Sequence, residues 1–241
     1  MGVEQIMYDA FSRAKEYEYN SKNYKKNKAS KPRKNLELDA LVEILNKKRF
    51  ITCHSYIQSE INMLIDLAEE FGFTINTFTH VLEGYKIADK LKNHGSSAST
   101  FSDWWAYKYE VNDAIPHNAS ILNKIGVNTA INSDDAEMGR RLNQEAAKMI
   151  KYGNTSQEDA WKMVTLNPAK MLKIDNYVGS LRKNKDADIV IWSKNPLSIY
   201  SVVEATYIDG RCFFSIQKDK EHRNYIAKEK NRILNKLMKQ K

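Results

Sequence analysis

Scarcity sets the first limits on this 241-residue chain. Its two cysteines, Cys53 and Cys212, lie far apart without the spacing of a metal site, which excludes a disulfide framework and a thiolate cluster. Cys53 falls inside an apolar strand pattern, and both read as packing residues. No apolar run approaches the roughly 20 residues that span a bilayer, so neither a membrane-spanning segment nor a membrane partner is expected. No basic stretch followed by an apolar one opens the chain. It starts instead on helical spacing, with Val3, Ile6, Met7, Ala10 and Ala14 on one face, abruptly enough to suggest absent upstream sequence. Any export signal of a complete parent would lie there, which leaves the compartment open. Histidine is scarce too: of the five, no two are spaced H-x-H.

What is present has the texture of a globular protein, with a hydrophobic share of 42% and a charged share of 28%. The net charge of +8 is unevenly spread. Residues 21–34 hold seven basic side chains and no acid, and residues 218–241 hold nine against three acids. These segments together carry +13 and leave the body near −5, so the basic excess is local. Neither contains an aromatic stacking motif or a basic recognition helix, and both read as solvated faces; no nucleic-acid partner is expected.

From residue 49 one unit repeats: a short β-rich run ending in a polar residue, a helical stretch, then a turn. The runs are 49–54 (RFITCH), 74–80 (TINTFTH), 97–102 (SASTFS) and 128–134 (NTAINSD). Helical spacing follows each, over 61–68 closed by Gly72, over 83–92, over 111–125 with a break near Pro116, and over 139–151; a further helix is expected over 157–166, ahead of Asn167-Pro168. Upstream, 1–20 and 36–47 look helical, joined by a stretch rich in lysine and asparagine. Downstream, 178–181, 187–192, 202–208 and 211–216 are short β-rich runs, and Asp209-Gly210 signals a hairpin whose central positions both need positive φ. The expected division is a helical segment with a basic linker (1–48), a βα region (49–174), a β-domain (175–217) and a basic amphipathic helix (218–241). In each βα unit the chemically capable residue ends the strand, which is where a (β/α) barrel builds its active site. Such a barrel has eight strands and four are counted here, so the fold class is α/β: a partial TIM-type barrel, a small antiparallel β-domain and a terminal helix.

His54, His80 and Asp134 each end a β-run in a different unit, so barrel closure would gather them at one rim. Two imidazoles and a carboxylate suit a first-row divalent ion, zinc above all. They leave a position for water, and Asp134 could bind the ion, accept the water proton and pass it to a leaving nitrogen. A histidine at a strand end is also commonly a hydrogen-bonded structural residue, so spacing alone leaves both readings open. Glu83, Tyr85, Ser102, Trp104, Trp105 and Asn132 could line a substrate pocket, with core packing the alternative for the tryptophans. Arg140 and Arg141 could meet an anionic substrate or form surface ion pairs. Asp135 reads as a helix cap, and His94, His117 and His222 as surface residues.

Residues 165–192 (TLNPAKMLKIDNYVGSLRKNKDADIVIW) closely resemble the signature that follows the last barrel strand in the amidohydrolase superfamily: T-x-N-P-A ending a helix, a G-S-L turn, then Gly-Lys-x-Ala-Asp entering a strand. Asn184 stands where that Gly is usual, and Asn tolerates positive φ. Residues 53–56 (CHSY), 78–86 (FTHVLEGYK) and 131–141 (INSDDAEMGRR) resemble the strand-five, strand-six and strand-eight motifs of imidazolonepropionase-like amidohydrolases. The resemblance implies strands five to eight of a barrel, with His54 and His80 as metal ligands and Asp134 as ligand and general base. It implies one or two ions, most readily zinc, in a complete enzyme, and hydrolysis of C–N bonds other than peptide bonds in a small amide or cyclic amide. The family's H-x-H pair and the bridging Lys or Glu of its third or fourth strand are lacking here. The chain therefore resembles a C-terminal portion, incomplete or inactive alone, whose partner is the missing barrel half or a second copy. The alternative is a catalytically silent module that keeps the fold and acts through protein partners.

Overall fold

Four short parallel strands organise the first part of the chain. The computed structural model describes residues 2–239, which fall into two units divided between Met171 and Leu172. In the first, β1 (Thr52–Ser55), β2 (Thr77–His80), β3 (Ser97–Thr100) and β4 (Thr129–Ile131) form one parallel sheet in chain order. β2 is the later part of its expected run, β3 the first part and β4 a central part that stops at Ile131, three residues short of Asp134, while β1 runs one residue past His54 to Ser55. The crossovers are helical: α3 (Gln58–Phe71) between β1 and β2, α4 (Ala88–His94) between β2 and β3, and α5 (Asn118–Ile125) between β3 and β4. α3 ends at Gly72 in the left-handed region (φ 79°), as its sequence position suggests. The stretch 83–92 is not one helix, because a 3-10 turn at Gly84–Lys86 precedes α4.

Strand register explains which side chains form the core. Cys53, Phe78 and Ala98 are register partners across β1, β2 and β3, and this row packs against Ile61, Leu64 and Ala68 of α3, Leu91 of α4 and Leu122 of α5. The alternate row, His54, Thr79 and Ser99, projects from the opposite face, because side chains alternate along a strand. One face of the sheet is thus apolar and helix-covered, and the other is polar.

Upstream, α1 (Gly2–Asn23) and α2 (Leu36–Leu45) are the two expected helices. Phe11 of α1 anchors to the core through the rings of Phe71 and Phe73, and Asn35 caps α2 by accepting from the N–H groups of Glu37 and Leu38. Downstream of β4 lie α6 (Ala136–Gly139), α7 (Leu142–Gly153), α8 (Gln157–Lys162) and α9 (Leu166–Met171). Asp135 caps α6, as its sequence position indicates. α9 runs through Asn167-Pro168, which falls in its first turn, where a missing N–H costs nothing.

The two edges of the sheet differ. On β4 the Ile131 N–H donates to the Met163 carbonyl (3.0 Å), and the Asn167 side-chain amide donates to the Thr129 carbonyl (2.8 Å). That edge is closed by the T-x-N-P-A segment. β1 pairs with β2 and with no other strand among the described residues.

In the second unit β5 (Ile189–Trp192), β6 (Val203–Ile208) and β7 (Arg211–Ser215) form an antiparallel sheet in that order, and α10 (Ile216–Met238) follows β7. Asp209 and Gly210 both have positive φ (50° and 74°), the turn their pairing demands. Asn184 also sits at positive φ (69°). Residues 178–181, expected as a strand, form a bend instead. The reason is Lys185, whose ammonium reaches the carbonyls of Asp175 and Val178 (3.0 Å to the latter) and Ser180 Oγ (2.8 Å), curling the segment around one cation. No described helix is long and apolar enough to cross a membrane.

Candidate metal and catalytic site

Strand alternation alone would keep His54 and His80 apart, because register pairs His54 with Thr79 and puts His80 in the row of Ser55. The rings nonetheless meet: His54 Nδ1 and His80 Nε2 are 2.6 Å apart, with ring centroids at 4.6 Å. Backbone conformation at the strand end accounts for this. His80 and Val81 both lie at positive φ (78° and 45°), so the chain turns sharply as it leaves β2. For a β-branched residue such as Val81 that conformation is strained, and strain of this kind clusters at functional sites. Gly84 makes the turn possible, since a Cβ there would lie 2.7 Å from Val81 Cγ1.

His80 is buried among rings. Tyr56 stacks on it at 4.7 Å and 15°, and Phe101 lies at 5.0 Å. Burial first, and the His54 imidazole next, push its pKa below the usual histidine value; Asp134 pulls the other way and Lys108 adds to the depression. A neutral imidazole is the form that binds metal. His80 Nδ1 is buried without a hydrogen-bond partner, and so is Asn132 Oδ1. Two imidazoles at the C-terminal end of neighbouring parallel strands, one with an orphaned nitrogen, fit a pair of donors for a divalent ion. The expected third donor does not join them: among the described residues no three His, Cys, Asp or Glu side chains are grouped to hold a metal. Asp134, exposed and at positive φ (53°), acts on His80 electrostatically but stands outside the pair.

The other rim residues have partners within the protein. Glu83 Oε2 accepts from the Gln58 N–H (3.0 Å), supplying the cap that Ile57 cannot give α3. Tyr85 donates its hydroxyl to the Asp113 carbonyl (3.0 Å). Ser102 is buried and donates to Glu145 Oε2 (2.5 Å), and Lys148 bridges Glu145 and Asp103. Trp104 donates its indole N–H to the Ser133 carbonyl (2.9 Å), and Asn132 Nδ2 donates to Ser99 Oγ (2.6 Å). Arg140 is an exposed side chain ion-paired with Glu137. Trp105 is exposed beside Tyr152. Cys53 is a packing residue, its thiol pKa raised by burial and then by Glu60.

One expectation is corrected. His94 is not a surface residue: its side chain is 2% exposed, its Nε2 accepts from the Ile75 N–H (3.1 Å), and its Nδ1 lies 3.1 Å from Glu69. It ties the end of α4 to the segment entering β2. Sequence reasoning also passed over Tyr56 and Phe101, which pack against His80, and Lys108, which sits over the Tyr56 ring. The available signal was aromatic recurrence every third residue at Phe101, Trp104 and Tyr107, with Lys108 following. His54 also borders a groove of about 520 Å³ along β1, lined by Val3 and Met7 of α1 and Glu60 and Met63 of α3.

Comparison with known proteins places the fold and the family. The family model described as "Amidohydrolase family" matches residues 51–220. The chain is similar to amidohydrolase tasK of Hapsidospora irregularis, 27% identical over 184 residues, covering 74% of this chain and 19% of that protein. It is similar to imidazolonepropionase of Picrophilus torridus, 28% identical over 152 residues, covering 61% and 38%. The crystal structure of an amidohydrolase from Thermotoga maritima superposes with a TM-score of 0.80 and 31% identity over 89% of this chain and 56% of that one. The chain thus spans well under half the length of these curated relatives and just over half of the solved structure. From the profile match, the likeness to the solved fold and the strand-end histidines, the chain belongs to the amidohydrolase family.

Proposed function

We propose that this chain is the C-terminal part of a metal-dependent hydrolase of C–N bonds other than peptide bonds, acting on a small amide or cyclic amide. In this reading the four parallel strands are strands five to eight of a (β/α) barrel, and the remaining strands come from a complementary barrel half. The observation that carries it is the meeting of His54 and His80 at the C-terminal end of the sheet. His54 and His80 are the imidazole donors, Asp134 is the carboxylate of the site, and further donors belong to the other half. A divalent ion held by them, zinc most readily and as one or two ions in the complete enzyme, would supply Lewis acidity toward a water and the substrate carbonyl.

The residues of this chain do the rest. Burial favours the neutral His80 imidazole, the form that offers a lone pair, while Tyr56 and Phe101 pack against it. Asp134 takes a proton from the attacking water and delivers it to the leaving nitrogen, so that no charged amide anion has to depart. Trp104 and Asn132, whose Oδ1 has no partner, lie on the substrate side. Glu83, Tyr85 and Ser102 hold that wall through their bonds to Gln58, Asp113 and Glu145, and Arg140 stands at its exposed margin.

The test is elemental analysis and zinc titration of the purified chain, alone and mixed with a complementary barrel half. Stoichiometric zinc, lost when His54 and His80 are both replaced by Ala, is the expected result. Absence of zinc binding in both preparations would favour the catalytically silent module.

A further inference from the structure

The helix that ends the chain, α10, is 23 residues and about 35 Å long, and it buries none of its side chains. Its apolar residues nevertheless fall on one stripe. Ile226, Ile233, Leu234 and Leu237 are spaced i, i+7, i+8 and i+11, and each is between 45% and 57% exposed. The match to the family model ends at residue 220, so this stripe lies beyond it.

Charge surrounds the stripe and enters it. Residues 218–241 carry nine basic side chains against three acids. Two of those acids are already held within the helix, Asp219 by Arg223 (2.6 Å) and Glu229 by Arg232 (3.0 Å). Lys220, Lys228, Lys230 and Lys236 form no ion pair among the described residues, so the lysines carry the excess.

The position of Lys230 decides between kinds of partner. It stands inside the stripe, one helical turn from Ile226, Ile233 and Leu234. A protein covering the stripe would have to bury that ammonium, and a second copy packed along it would bring two of them to a shared seam. At a lipid surface the same side chain lays its aliphatic stem along the acyl chains and lifts its charge to the phosphates. No described helix is long and apolar enough to cross a bilayer, and a helix that lies in the surface plane has no need to be.

We propose that α10 is an interfacial helix that binds an anionic lipid surface, with Ile226, Ile233, Leu234 and Leu237 between the head groups and the lysines on the phosphates. The chain is then held at a membrane without spanning it. This is independent of the hydrolase reading and places no demand on the imidazole pair.

The experiment is co-sedimentation of the full chain with vesicles of phosphatidylcholine alone and of an equal mixture of phosphatidylcholine and phosphatidylserine. Binding to the mixed vesicles is expected to be at least about tenfold tighter, and to weaken as salt is added. Ile233→Ser with Leu237→Ser should abolish it, and Lys220→Gln with Lys230→Gln should erase most of the preference for the mixed vesicles. None of these side chains is buried, so the variants should keep the thermal melt of the parent chain. Equal binding to both vesicles, or binding to neither, would overturn the proposal. So would mixed-vesicle binding that survives Ile233→Ser with Leu237→Ser, since the attraction would then be charge alone. A lipid-free mass that falls in that same variant, without vesicle binding by the parent, would assign the stripe to a second copy instead.

Discussion

His80 reaches His54 by leaving the β conformation. The register places His54 beside Thr79, yet its Nδ1 lies 2.6 Å from His80 Nε2, because φ at His80 and Val81 turns positive where β2 ends. The geometry of the pair therefore depends on a backbone bend as much as on the two imidazoles. Residues that permit the bend are as necessary as the histidines themselves.

Gly84 is the first of these. Gly84→Ala brings a methyl group to 2.7 Å from Val81 Cγ1, and the residue is buried, so the conflict has no open space to relax into. The expected cost is about 1–3 kcal/mol, read by urea denaturation, with weakened zinc binding. Val81→Ala removes the clashing atom. In that background the added cost of Gly84→Ala should shrink, and purely additive losses would show that the bend is set elsewhere.

Asn167 closes the β4 edge. Its side chain donates to the Thr129 carbonyl and is buried. Asn167→Ala should cost about 1–3 kcal/mol by leaving that carbonyl unpaired. Hydrogen exchange offers a sharper check: the Ile131 N–H, bonded to the Met163 carbonyl, should lose protection. Unchanged protection there would mean that Asn167 does not hold the edge.

His94→Ala is expected to destabilise the first unit by a similar amount, about 1–3 kcal/mol, because the Ile75 N–H loses its acceptor in a buried position. His94→Gln supplies an acceptor at comparable reach and should recover part of the loss. A thermal melt that moves for neither variant would return His94 to the surface role its sequence suggested.

The open edge of β1 leads to a prediction about assembly. An edge strand with one side unpaired among the described residues, beside a groove of mixed lining, is a template for another strand. The chain is expected to sediment above its 27.9 kDa monomer mass as concentration rises. Thr52→Lys, which puts a charge on that edge strand, should lower the association. A concentration-independent monomer would refute the expectation.

Much of this architecture was readable one segment at a time. The four βα strands, with His80 at the end of β2, the cap at Asp135, the positive φ at Asn184 and the Asp209-Gly210 hairpin follow from local rules: alternation of apolar residues, side-chain oxygens that reach nearby N–H groups, and the few residues that tolerate left-handed backbone; β4 stops at Ile131, short of Asp134. The bend at 178–181 was not readable, because Val178 and Leu181 have the composition of a strand and the cation that curls them is Lys185, several residues on. His94 was misjudged for a related reason. A histidine at a helix end has no local mark of burial, and its partner is the N–H of Ile75, in a different element.

The amino-acid order by itself determined the alternation of strands and helices and the membership of the family, since both are written in spacing and in short motifs. Tertiary structure alone decided which rim residues meet. It turned His80 toward His54, set Tyr56 and Phe101 around it, committed Glu83 to α3 and Ser102 to Glu145, and left Asp134 outside the pair. The physical reason is that such contacts join segments tens of residues apart, whose approach is fixed by strand register and core packing rather than by any local preference of the chain.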